Sequence, residues 1–296
     1  MNGVLLLNKP RGMTSHDCVM KIRRLLGTKK VGHTGTLDPD VDGVLPICVG
    51  SATKLVQFLT AETKEYIGEV TIGYSTTTED ATGALLERLP VSATFSSEQI
   101  DSVLREMIGT SEQVPPMYSA VKVDGKKLYE YARAGLEVER PQRVVTIFKL
   151  ERISEIIHTD ELVKFRFKVH GSKGIFIRTV AVTIGEKLGY PAHMSDLTRI
   201  ASGNFKLTDC VTFKDIEKDD FDLLTIDVAL ADFPTVKVDT WIEKLIRNGV
   251  KLREEQISPP MKDGKFLIKS AQDGSPLSIH EWSEERQGYI SVRGLF

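Results

Sequence analysis

Residues 31–43 read Val-Gly-His-Thr-Gly-Thr-Leu-Asp-Pro-Asp-Val-Asp-Gly. A histidine, two threonines and three aspartates crowd among turn-forming glycines, where there is little to bury. Loops of this kind on a rigid scaffold hold reactive or ligand-binding groups. Three chemistries suggest themselves, and the residues reject each. The glycines of 27–34 have phosphate-loop spacing, but His33 stands where the lysine belongs and Pro39 prevents a helix from following. The charge and the helix N-terminus that hold phosphates are both missing. Asp38, Asp40, Asp42 and Gly43 open like a calcium loop, yet its twelfth position is Val49 and not a bidentate glutamate. Gly32-His33-Thr34-Gly35 copies an RNA-clamping Gly-x-x-Gly turn, but no lysine or arginine lies inside the loop, and the match is read as chance.

The chain that must position this loop has 296 residues, 41% hydrophobic and 27% charged, enough for one large unit and one small one. No apolar run reaches the ~20 residues of a membrane span. The N-terminus lacks the basic start and apolar length of a signal peptide, so a cytoplasmic location is expected. Cys18, Cys48 and Cys210 are odd in number and never form Cys-x-x-Cys, and the six histidines are scattered. That predicts neither disulfides nor a metal centre. The net charge of −2 hides an asymmetry: residues 1–60 carry eight Lys/Arg against four Asp/Glu, and residues 161–210 the same, while residues 209–239 carry three against nine. Local basic surfaces suit a polyanion even in a mildly acidic protein.

An apolar strand over 3–7 ends at the turn Asn8-Lys9-Pro10-Arg11-Gly12. A helix follows, with Thr14 or Ser15 as cap, Cys18, Ile22, Leu25 and Leu26 on its apolar face, and Gly27 as its stop. Residues 43–49 read as a strand that Pro46 marks as an edge or a bulge, and Ser51 as the cap of a second helix. Residues 64–75 alternate, with Tyr66, Gly68, Val70, Ile72 and Tyr74 on one face. Ser96 and Gln99 form a capping-box start for a helix to 108. Strands are expected at 144–157 and 161–170, and a helix at 175–188 with Ile177, Ala181, Ile184 and Leu188 on one face. Residues 119–143, rich in Lys, Arg and Tyr, read as a mobile binding loop inside the domain. Residues 236–296 read as a small, mostly-β unit. Strands and helices mixed without βαβ alternation predict an α+β fold. No helix carries a dimer seam, so a monomer is expected.

Several strings stand in order along the chain. They are Asn-Lys-Pro-Arg-Gly-Met-Thr-Ser at 8–15, Gly-His-Thr-Gly-Thr-Leu-Asp-Pro at 32–39 with Gly-Val-Leu-Pro-Ile-Cys-Val-Gly at 43–50, and Lys-Glu-Tyr at 64–66. Then come Pro-Met-Tyr-Ser-Ala at 116–120 with the stretch 125–133, Gly-Ser-Lys-Gly-Ile-Phe-Ile-Arg-Thr at 171–179, and Leu-Thr-Arg at 197–199. Together they resemble the bacterial tRNA pseudouridine synthase B family, which isomerises uridine 55 in the T loop of tRNA. The resemblance implies a mixed, mainly antiparallel sheet with flanking helices over 1–235, the pseudouridine synthase fold. It further implies an RNA-gripping insertion at about 119–143 and a small PUA-like RNA-binding domain at 236–296. The target base is flipped out, no cofactor or metal is used, and the partner is the T stem-loop of tRNA.

On that resemblance Asp38 is the catalytic aspartate, which must be ionised, close to its target and screened from water. Attack on the sugar, attack on the base and service as a general base all stay open. Tyr66, by pattern alone a core tyrosine, becomes a residue that stacks on the flipped uracil and moves a proton; such stacking contributes about 1–3 kcal/mol. Arg178 lies near a helix start, where its charge opposes the helix dipole. The mismatch calls for an anionic partner, which the resemblance names as Asp38. Asp80 is placed with the substrate-binding set and as a brace for Arg178. His33, Phe176 and Leu197 are carried over as substrate contacts. The family usually has tyrosine where Phe176 stands, so the ring is kept and the hydroxyl lost. Asp40 and Asp42 are expected to point away from RNA phosphates. A non-catalytic RNA chaperone using the same cleft is the alternative, and the two readings part at Asp38.

Overall fold

The computed structural model describes residues 1–92, 94–159 and 161–296. A ten-stranded sheet runs in the order Gly3–Lys9, Asp42–Val49, Ala192–Ser202, Lys64–Ile72, Val163–Gly171, Arg143–Arg152, Gly109–Gln113, with three short strands paired to its flanks. Along this path every pairing is antiparallel except that of Ala192–Ser202 with Asp42–Val49, which is parallel at Thr198↔Asp42 and Arg199↔Gly43. The central strands alternate as their sequences require. Val163, Phe165, Phe167 and Val169 are buried, while Lys164 and Arg166 are not. Phe167 lies opposite Gly68, where a Cβ would meet the phenyl ring at 2.7 Å, so that glycine makes room for the ring.

Helices Ser97–Glu106 and Ile177–Leu188 pack on one side of the sheet, joining Ile100, Leu104, Val180, Ala181 and Ile184 to Val70, Phe165 and Val145 in one core. The first carries the expected Ser96–Gln99 capping box. Helix Ser15–Leu25, capped by Thr14, packs with Leu5, Leu7, Leu45 and Ile47.

Three local expectations need correction. The strand from Lys64 stops at Ile72, because Gly73 adopts φ +122° and turns Tyr74 away to stack on His193 at 4.3 Å. Ser51 caps nothing: Gly50–Leu55 is a 3-10 turn, and Val56–Thr60 follows it without a side-chain cap. The strand carrying Pro46 is interior, not an edge. On one side it changes partner, from Thr198 and Arg199 at its start to Val31–His33 at its end. Pro46 sits between the two. Its carbonyl accepts from Thr34 N–H at 3.1 Å on that side, so its missing N–H falls in the gap.

A second sheet, Thr235–Val238, Lys265–Ser270, Pro276–Ser283 and Gly288–Gly294, follows. One face covers its own core with helix Thr240–Arg247, through Val236, Ile242, Ile246, Phe266, Ile268 and Tyr289. The other face puts Leu267, Ile279 and Leu295 against Val4, Leu6, Leu55 and Phe58. Burying each such side chain contributes about 1.5–3 kcal/mol, so this unit is docked rather than tethered. Among the described residues, no helix is long and apolar enough to cross a membrane.

Candidate active site

Asp38 is presented by a loop that other segments hold rigid. Ser15, 1% exposed, accepts at Oγ from the Leu37 N–H at 2.9 Å and donates to the Leu37 carbonyl at 3.2 Å. Lys9 is completely buried, and its Nζ donates to the carbonyls of Pro10 and Pro39, both at 2.9 Å. The Gly12 N–H reaches the Pro39 carbonyl at the same distance, 2.9 Å. Arg199, also buried, donates to the Gly35 carbonyl at 3.0 Å and the Val44 carbonyl at 2.7 Å. Buried cations need hydrogen-bonding partners, and here the partners are the backbone of the aspartate loop. Gly43 has φ +109°, and a Cβ there would lie 2.1 Å from the Arg199 carbonyl, so only glycine fits. The residues on both sides of Asp38 are thus fixed, and its carboxylate is left to face the cleft.

Arg178, the second residue of helix Ile177–Leu188, approaches from the opposite side. Its Nη2 lies 3.2 Å from Asp38 Oδ2 and donates to the Tyr118 carbonyl at 2.8 Å. Its Nη1 donates to the Thr78 carbonyl at 2.9 Å and lies 3.6 Å from Asp80 Oδ2. Asp80 is itself set by its own turn: Oδ1 accepts from Thr78 Oγ1 at 2.6 Å, Thr82 Oγ1 at 2.6 Å and the Thr82 N–H at 3.0 Å. Glu79, with φ +62°, accepts from the Thr179 hydroxyl at 3.0 Å. Enclosure by protein pushes the Asp38 carboxyl above its ordinary value; the Arg178 charge opposes that push, and Asp80 adds to it. The walls around Asp38 are dense, yet its side chain keeps 41% of its surface open to the cleft.

That cleft has a volume of about 710 Å³, and His33, Asp38, Asp80, Arg178 and Leu197 all line it. Five of the residues expected to act together are therefore brought together. The insertion supplies part of the wall through Tyr118, Lys127, Tyr129 and Arg133. Lys127 and Arg133 both lie over the Tyr129 ring, at 5.3 and 5.2 Å, a basic–aromatic surface of the kind that suits nucleic acid. Asp38 and Asp42 turn to different partners and not to a common point. Asp42 accepts from Thr198 Oγ1 at 2.6 Å and from Arg11 Nη2 at 3.3 Å. Asp40 is exposed and lines the same cleft.

The family of the chain is shown by its relatives. The TruB family pseudouridylate synthase N-terminal domain matches residues 23–177, and the tRNA pseudouridylate synthase B C-terminal domain matches residues 178–223. The chain belongs to the TruB family of pseudouridine synthases. It is 53% identical to a tRNA pseudouridine synthase B of Bacillus cytotoxicus, over 98% of this chain and 95% of the relative. The figures for Geobacillus thermodenitrificans are 57%, 94% and 95%, and for Bacillus subtilis 52%, 98% and 96%, both relatives bearing the same name. A Cbf5–Nop10–Gar1 complex contains a chain of the same fold, with TM-score 0.73 and 25% identity over 99% of this chain and 85% of that one. An H/ACA ribonucleoprotein bound to a substrate RNA containing 2′-deoxyuridine gives TM-score 0.72 at 22% identity, over 99% and 85%. The TruB fold here is the mixed, mainly antiparallel sheet with flanking helices that the motifs implied.

Two residues of the expected TruB set stand apart from the cleft walls. Tyr66 is 8% exposed and packs in the same core as Leu37 and Val41. Phe176 is half-buried at the N-terminal end of helix Ile177–Leu188. His33 accepts at Nδ1 from the Gly35 N–H at 3.3 Å, which leaves Nε2 as the protonated nitrogen. Burial and the charge of Arg199 push its pKa down, so it is a neutral donor. Sequence reasoning missed Lys9, Ser15, Gln113 and Arg199. Lys9 and Ser15 lie inside the N-terminal motif, so their signal was present without a role attached.

Proposed function

We propose that this chain converts uridine to pseudouridine at position 55 in the T loop of tRNA, with Asp38 as the catalytic carboxylate. The reaction breaks the C1′–N1 bond, turns the uracil and joins C5 to C1′. The C5 proton leaves and N1 gains one. Substrate and product are isomers, so the chemistry needs no oxidant or reductant. The observation that carries the reading is the pair of a buried arginine and a cleft-exposed aspartate, whose positions are fixed by backbone contacts on both sides. Asp38 serves at C1′, where a carboxylate offsets the charge that develops as the glycosidic bond weakens.

A base can reach Asp38 only after leaving its stack, at a cost of a few kcal/mol. Leu197 and His33 line the space it enters. His33 donates from Nε2, and Leu197 packs on the uracil. Tyr66 and Phe176 meet the base once the side chains now covering them give way. The insertion at 119–143 closes on the T arm through Lys127, Tyr129 and Arg133. The unit at 236–296 acts as a PUA-like accessory RNA-binding domain, and the two-domain division at about 235 goes with that role.

Incubating the protein, without added cofactor, with a T-arm stem-loop and mapping pseudouridine after chemical derivatisation tests this reading. Product at the position equivalent to 55 is expected. Binding without product would leave only an RNA-chaperone role.

A further inference from the structure

The edge strand Gly109–Gln113 ends in a side chain with an unusual task. Gln113 Oε1 accepts from the Phe176 N–H at 2.8 Å, and Gln113 Nε2 donates to the Phe176 carbonyl at 3.0 Å. One amide thus grips both polar groups of a single peptide residue. Phe176 is the N-cap residue of helix Ile177–Leu188, and that helix has no side-chain cap of its own. The N–H of the cap residue has no partner inside the helix, and Gln113 supplies that partner from a strand 63 residues away.

Two residues beyond Phe176 stands Arg178, which also bonds to this segment through the Tyr118 carbonyl. Gln113 and Tyr118 flank the stretch 114–117, whose Pro115 and Pro116 are buried and stiffen it. The far end of the insertion returns to the same place: Arg140 donates to the Pro115 carbonyl at 3.1 Å, and Arg143 pairs with Gln113 in the sheet. Both ends of the insertion are therefore clasped at the root of the catalytic helix.

We infer that Gln113 is a positioning residue for Arg178. It fixes the start of the helix so that the guanidinium meets Asp38, and it ties the placement of the insertion to that ion pair. The inference rests on the proposed role of Asp38 and Arg178, and the experiment separates the two. Single-turnover conversion of a T-arm stem-loop is measured for Gln113→Ala, Gln113→Glu, Arg178→Lys, the double variant Gln113→Ala/Arg178→Lys, and Asp38→Asn, with stem-loop affinity measured alongside.

Gln113→Ala is expected to lower the rate constant by about ten- to a hundredfold, the scale of a small misplacement at a reacting centre. Affinity should stay within about threefold, well inside that loss. The acid limb of its pH profile should move up, because Arg178 holds the Asp38 carboxyl down. The two single losses should fail to multiply in the double variant. Gln113→Glu keeps the shape but loses the donor when ionised, so its defect should shrink as pH falls and the carboxyl protonates. This variant also decides the matter if Gln113→Ala does not fold. A normal rate in either Gln113 variant, or multiplying effects, overturns the inference while leaving Asp38 in place. Full activity in Asp38→Asn overturns the reading beneath it.

Discussion

Arg178 is the buried member of its pair with Asp38: its side chain is 5% exposed, that of the aspartate 41%. The cation is locked by two carbonyls and a second carboxylate, and the anion keeps an open face. This asymmetry directs a fixed charge at a carboxylate that can still touch a substrate.

A pH prediction follows from the pair. The Asp38 carboxyl is pushed up by burial from the ordinary 3.8, against the pull of Arg178. Activity that needs the carboxylate should therefore fall as pH drops through a value above 3.8. Arg178→Ala removes the pull, so its acid limb should lie higher still, with a rate at least about a hundredfold lower. A pH–rate profile on a stem-loop substrate measures both. An acid limb unmoved in Arg178→Ala would separate the arginine from the carboxylate.

The same shift makes a statement about stability. A carboxyl with a raised folded pKa binds its proton more tightly in the folded chain than in the unfolded one. Its contribution to stability falls as pH rises from the unfolded value to the folded one, and stays low above it. Asp38→Asn should therefore melt no lower than the parent at pH 7, since Arg178 keeps Asp80 and two carbonyls. The difference should vanish at a pH below both values. Thermal melts at the two pH values check this, and a lower melting temperature at pH 7 would show that the pair stabilises the fold.

Lys9 tests whether the loop is held from behind. Lys9→Met keeps most of the volume, takes the Nζ donor from the Pro10 carbonyl and leaves the Pro39 carbonyl with the Gly12 N–H alone. Losing a hydrogen bond made by a charged donor costs about 1.5–3 kcal/mol, readable by urea unfolding. The rate constant should fall with stem-loop affinity retained, because the loss acts on the geometry of Asp38.

The C-terminal unit should not melt by itself. Ile279 is fully buried against the first strand and Phe58. Ile279→Ala should cost about 2–5 kcal/mol and lower one shared transition. Two separated calorimetric transitions would show that the second sheet is an independent appendage.

The chain order of elements and the key pair were legible because their signals are local. Alternation put Phe165 and Phe167 inward, Ser96 and Gln99 announced a helix start, and the Arg178 charge at a helix N-terminus called for an acid. What failed to show depends on distant partners. Lys9 and Arg199 look like surface cations by type, and only the tertiary structure reveals them as buried clamps on carbonyls. Pro46 suggested an edge because the partner switch beside it joins strands far apart in sequence. Gln113 sits on a polar edge strand, and its partner Phe176 is 63 residues away. Tyr66 was read two ways, and the unliganded packing favours the core reading for its present position.

The central claim is that Asp38 does the chemistry, and Asp38→Asn measures it most directly. Conversion of uridine in a T-arm stem-loop and affinity for the same RNA are determined on this variant and the parent. The account predicts a rate at least about a thousandfold lower, the scale of losing a group that acts in the bond-breaking step. Affinity should stay within about threefold, because phosphate contacts elsewhere supply most of it. Pseudouridine formed by Asp38→Asn at a rate near that of the parent would contradict the account.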